Sequence, residues 1–218
     1  MLLEFALHDV DTKDIDIKNI LNLIKEYNLD YISVLPYYTK LAKKIIGESN
    51  TKICCPIDYP LGILDYSSRR NEIENAIKNG AQKIDMVLPT LLLINKKYDK
   101  FREDIRMNYD LCLSNNVEIN YILEYRKFDY IFLSKIAEIL FNLNIKRVYP
   151  STGYMLDNIS DNMIACVYLN NKTNIKCIST ADIWLKTHII DLLKNKIHGI
   201  RFKNLNALKM FYETDKIQ

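Results

Sequence analysis

Two charged residues interrupt apolar runs in this chain of 218 residues: Asp85 in "KIDMVLP" and Lys176 in "NIKCIS". Burying a charge without a partner is costly, so each needs an opposite charge nearby or must give up its own. If both face the same interior they can meet, and a lysine in a partly desolvated site can lose its proton and attack a carbonyl carbon. The same pair serves equally as a salt bridge filling that interior. A third position lies in "IKRVYPSTGYM" (145–155), where a short apolar run enters a Ser-Thr-Gly turn. Tyr149 stands where that run ends, and its phenol can supply a hydrogen bond or a proton. Ser151 follows, without the G-x-S-x-G elbow that exposes a nucleophilic serine.

Other chemistry-bearing residues recur just after apolar runs: Glu4 and His8, Ser33, Asp58, Glu124, Arg201 and Lys203. Of these, Glu4, Asp58, Glu124, Arg201 and Lys203, together with Ser151, are read as lining a polar-ligand site, against the plainer reading of a solvated rim group or a structural ion pair. The carboxylates of "HDVDTKDID" precede a helical pattern and resemble loop and N-cap chemistry more than a metal site. The three histidines, His8, His188 and His198, have no ligand spacing to one another, so no metal centre is expected. No cofactor is expected either, because the first apolar run lacks a glycine-rich dinucleotide turn.

These residues need a frame, and the chain alternates short β-like runs with amphipathic helical patterns throughout. Strands are expected near 2–7, 30–35, 52–57, 82–88, 117–124, 145–149, 173–178 and 197–202. Helices lie between them, as in "IKNILNLIKEY", where Ile17, Ile20, Leu21 and Ile24 recur at helical spacing. Eight such units in one chain of this length point to a single (β/α)8 barrel over 1–218, with a doubly wound open sheet as the alternative. In such a barrel the chemistry gathers at the C-terminal strand ends.

Composition narrows the partners. The net charge is only +3, from 30 basic and 27 acidic residues spread along the chain, which gives nucleic acid no basic stripe to bind. No apolar run is long enough for a membrane span, and the N-terminal residues lack the pattern of a signal peptide. Five cysteines sit mostly within apolar runs and read as free thiols of a cytoplasmic protein. A small molecule is the expected partner.

Several segments, in order, resemble the deoxyribose-phosphate aldolase family. "VLPYYTKLAKKII" looks like its second strand and the following helix, and "KICCPIDYPLG" is similar to its third strand ending in F-P-L-G. "EIENAIKNGAQKIDMVLP" resembles E-A-x-x-A-I-x-x-G-A-x-E-I-D-M-V and is the most specific match. "YILE" resembles I-I-E-T, "VYPSTGY" resembles V-K-T-S-T-G-F, and "IKCIS" resembles V-K-A-S-G-G.

The resemblance implies a barrel, a homodimer and a class I aldol reaction. In that reaction a strand-six lysine forms a Schiff base with acetaldehyde, assisted by a strand-four aspartate and a strand-seven lysine. Carried over by position, the aspartate is Asp85 and the assisting lysine is Lys176, while the Schiff-base lysine is replaced by Tyr149. The glycine turns that hold phosphate in the family are replaced by Ser179-Thr180 and Lys203-Asn204-Leu205, with Arg201 and Lys203 as candidate substitutes. Glu4 alone remains of the acidic N-terminal motif, and Asp58 stands where a glycine is usual.

Two main readings follow. One is a repurposed enzyme acting on a small carbonyl or amine compound through Lys176, with Asp85 orienting it and Tyr149 assisting. The other is a non-catalytic barrel, a ligand sensor or assembly subunit, with Tyr149 filling the old substrate space. Residual deoxyribose-phosphate cleavage is a third.

Overall fold

The computed structural model describes residues 1–47, 49–154, 157–195 and 197–215. Eight parallel strands close into a barrel in sequence order: β1 (Leu2–Leu7), β2 (Tyr31–Val34), β3 (Lys52–Ile57), β4 (Lys83–Val87), β5 (Glu118–Ile122), β6 (Arg147–Tyr149), β7 (Lys176–Ser179) and β8 (Gly199–Phe202). Strand β1 pairs with both β2 and β8, which completes the ring and excludes the open sheet.

Between the strands run α1 (Asp14–Ile24), α2 (Thr39–Ile46), α3 (Tyr66–Lys78), α4 (Thr90–Ile94), α5 (Tyr98–Ser114), α6 (Tyr130–Asn142), α7 (Ile159–Lys172) and α8 (Lys186–Lys194). Helix α9 (Leu205–Asp215) follows β8. Helix α1 buries Ile17, Leu21 and Ile24, the stripe that the spacing predicts, and carries Asp14 and Asp16 in its first turn, where the helix dipole favours acids. Asp65 caps α3 by accepting from the Ser68 amide at 2.9 Å. Gly80, two residues beyond α3, adopts φ +101°, a conformation open to glycine but strained for other residues.

The eight expected strands are all present, with one displacement that matters. The seventh begins at Lys176 instead of ending near it. The main core packs between sheet and helices, whereas Val87, Ile122, Tyr149 and Ile178 form a separate buried cluster. That second cluster lies on the inward face, since alternate residues of a barrel strand point into the barrel.

Candidate active site

Strand β4 brings Lys83 and Asp85 onto one face, because side chains two residues apart along a strand point the same way. Register places Glu4 of β1 beside Arg201 of β8, and Cys54 of β3 beside Lys83. These residues, with Tyr149 of β6, form one buried polar network inside the barrel. The Lys83 ammonium is ion-paired with Glu4 in close contact, lies 3.7 Å from Asp85 Oδ1 and donates to Tyr149 Oη at 2.6 Å. Tyr149 Oη donates in turn to Glu4 Oε1 at 2.8 Å.

The Arg201 guanidinium donates to Glu4 Oε2 from Nε at 2.9 Å and from Nη2 at 2.7 Å. Nη2 also contacts Asp85 Oδ2 closely, and the guanidinium carbon stacks 3.9 Å from the centre of the Tyr149 ring. Cys54 Sγ donates to Asp85 Oδ2 at 2.8 Å. The Tyr31 ring lies under the Lys83 ammonium at 3.8 Å.

Two cations and two carboxylates balance within this network. Burial pushes the Glu4 carboxyl up, but the Lys83 and Arg201 charges outweigh it and hold the group at about 2. Burial pushes the Lys83 ammonium down, and the Asp85 and Glu4 carboxylates more than reverse this, so it stays charged. Burial first, then the Asp85 and Glu4 charges, drive the Tyr149 phenol well above its ordinary value. It is a neutral hydrogen-bonding group at physiological pH.

The expected meeting of Asp85 with Lys176 does not occur. Lys176 opens β7 and is exposed, lining a cavity at the N-terminal end of the barrel with Met1, Leu2, Arg147, Ile178, Leu193, Ile197 and His198. The β6–β7 register pairs Arg147 with Lys176 and Val148 with Cys177, so the residue level with Tyr149 is Ile178. The strand-seven residue beside Tyr149 is therefore aliphatic. Asp85 is engaged instead by Lys83, a residue that sequence reasoning passed over. Its signal was present: Lys83 lies two residues before Asp85, on the same strand face, where the family pattern quoted above carries Glu.

The remaining candidates divide between the barrel mouth and its supporting loops. Asp58, at φ +54°, accepts from the amides of Ile63 at 2.9 Å and Leu64 at 3.2 Å and lies 4.0 Å from Arg69 Nε, so it organises the loop after β3. Glu124, at φ +53°, accepts from the Thr152 amide at 2.6 Å and ties the β5 loop to the β6 loop. Ser151 contacts Asp157 closely and Thr180 Oγ1 at 3.1 Å, and Asn162 Nδ2 donates to it at 3.2 Å. That knot is buried and presents no free hydroxyl nucleophile.

Lys203 does reach the C-terminal mouth. A cavity of about 320 Å³ there is lined by His8, Tyr59, Thr152, Gly153, Arg201 and Lys203, with Asp9 and Asp11 among its walls. Lys203 Nζ lies 3.0 Å from Asp182 Oδ1. His8 Nε2 shares a 2.8 Å hydrogen bond with Ser33, and burial, reinforced by Arg201 and Lys203, holds its pKa well below the ordinary imidazole value. Of the buried network only Arg201 lines this cavity. Among the described residues no cluster of His, Cys, Asp and Glu could hold a metal ion, and no helix is long and apolar enough to cross a membrane.

No protein-family model matches the chain. It is 34% identical over 95 residues to deoxyribose-phosphate aldolase of Bdellovibrio bacteriovorus, spanning 44% of this chain and 43% of that protein. It is 28% identical over 153 residues to deoxyribose-phosphate aldolase 2 of Staphylococcus aureus, spanning 70% and 69%. The first of these matches thus covers less than half of the relative's length. The solved tetrameric deoxyribose phosphate aldolase of Aeropyrum pernix superposes with a TM-score of 0.82 at 17% identity, covering 99% of this chain and 90% of that one, which speaks for the fold alone. The chain is thus similar in sequence to deoxyribose-phosphate aldolases over part of its length and shares their barrel fold, with a buried ion network around Tyr149 in its interior.

Proposed function

We propose that this chain is an aldolase-like barrel that no longer forms an imine and serves as a non-catalytic binder of a small polar molecule at its C-terminal mouth. One observation carries the reading. Tyr149, which the resemblance puts at the imine position, is buried, and the β7 residue level with it is Ile178 of the same cluster, not Lys176. An imine-forming lysine needs a neutral, reachable amine. Lys83 is charged and fully buried, and Lys176 lies at the opposite end of the barrel. The cavity at the mouth, with Arg201, Lys203 and His8, supports retained binding without the chemistry beneath it.

The test is reductive trapping. The protein is incubated with deoxyribose 5-phosphate and cyanoborohydride, and adducts are mapped by mass spectrometry alongside a coupled aldolase assay. No site-specific adduct above an unfolded control, and no turnover, is the expected result. A stoichiometric adduct on Lys83, Lys176 or Lys203 would sink the reading. Titration calorimetry with deoxyribose 5-phosphate measures the binding half, which Lys203→Met is expected to weaken about tenfold. Cytoplasmic placement and self-association, by analogy with the tetrameric relative, belong to the same proposal, and light scattering tests the latter.

A further inference from the structure

On the outer layer, away from the barrel axis, lies a larger cavity of about 650 Å³ between the loop after β3, helix α4 and helix α5. Its walls are mainly apolar: Ile63, Leu64, Pro89, Leu91, Leu92 and Met107. Leu91 and Ile63 are 53% and 57% exposed. Pockets that take small molecules combine such walls with a few fixed polar groups.

The fixed polar group here is Arg69. It lines the cavity yet is 1% exposed, and only Nη2 is engaged closely, by Asp104. Nε and Nη1 have no hydrogen-bond acceptor among the described residues, and the Asp58 carboxylate lies 4.0 Å from Nε. A buried donor left without an acceptor is costly, so a ligand that supplies one gains both the hydrogen bond and the apolar contact.

The charge around it selects the acceptor. The lining holds Arg69 and Lys100 together with Asp65, Glu103 and Asp104, and Asp58 lies 4.0 Å from Arg69 Nε. A further carboxylate meets acids already in place, and a cation offers Arg69 nothing to accept with. We propose that this cavity is a binding site for a small, largely aliphatic molecule bearing a neutral carbonyl acceptor, held by Arg69 and independent of the barrel mouth.

Matched six-carbon probes test it on the full chain: hexanamide, hexanoate and hexylammonium, followed by amide resonances in a nitrogen-15 correlation spectrum. Hexanamide is expected to shift the amides of Gly62–Tyr66 and Leu91–Leu92, with an affinity at least fivefold above either charged probe. Leu91→Glu, at an exposed wall position, is expected to weaken hexanamide at least tenfold, and Arg69→Met to remove the preference for the amide. If Arg69→Met fails to fold, the Leu91→Glu arm decides. Equal or reversed affinities, shifts elsewhere only, or no response to Leu91→Glu would overturn the proposal. So would shifts of the same amides with protein concentration alone, which would give the groove to a second copy of the chain.

Discussion

Lys83 Nζ donates to Tyr149 Oη at 2.6 Å, so a lysine supplied by the fourth strand holds the phenol that ends the sixth. Around this contact the charges of Glu4, Asp85, Lys83 and Arg201 cancel, and all four side chains are buried. Such a set is stable as a whole and fragile in its parts, because removing one member leaves its partners buried and uncompensated.

Lys83→Met is therefore expected to lower stability by about 3–5 kcal/mol. Urea unfolding at neutral pH measures it, as a lower midpoint at unchanged slope. Adding Glu4→Gln to Lys83→Met is expected to recover part of the loss, since it removes the stranded carboxylate. A single variant as stable as the parent would mean the network carries no such coupling.

Stability should fall with acid in two stages. The folded-state pKa of His8 lies below its unfolded value near 6.5, so the unfolded chain takes up the proton first, and stability present above pH 6.5 declines as pH falls. Glu4 sits at about 2 against an ordinary value of 4.5, so its contribution is complete above pH 4.5 and is lost as pH drops from there toward 2. Unfolding midpoints between pH 8 and pH 3 report both limbs, and His8→Gln should flatten the upper one alone.

Lys176→Ala is expected to change stability by no more than about 0.5 kcal/mol, as for an exposed residue away from buried networks. It should also leave ligand binding at the C-terminal mouth unaltered. A tenfold change in affinity for deoxyribose 5-phosphate would restore Lys176 to the site.

Gly62→Ala should be among the more damaging single changes in the loops. Gly62 adopts φ +67°, and an added Cβ would lie 2.3 Å from the Leu88 carbonyl oxygen, which is backbone and cannot swing away. The expected loss exceeds about 1 kcal/mol by thermal or urea unfolding.

The order of strands and helices was legible from period alone, because burial of one face imposes a repeat of 2 or 3.6 on the residues themselves. That alternation pointed to the (β/α)8 barrel with an open sheet as the alternative, and the closed ring decided between them. The roles of Glu4, Asp85 and Arg201 as interior charges were legible only as isolated interruptions of apolar runs. What joined them was register. Sequence alternation states that Lys176 and Ile178 share a face, but the height of each along the barrel axis depends on how β7 staggers against β6. That stagger places Ile178 level with Tyr149 and leaves Lys176 at the far end, while the stagger of β3 and β4 sets Lys83 beside Cys54. Strand parity is a local property of the chain, whereas depth in a closed barrel is set by every neighbouring strand together, and only the tertiary structure decides it.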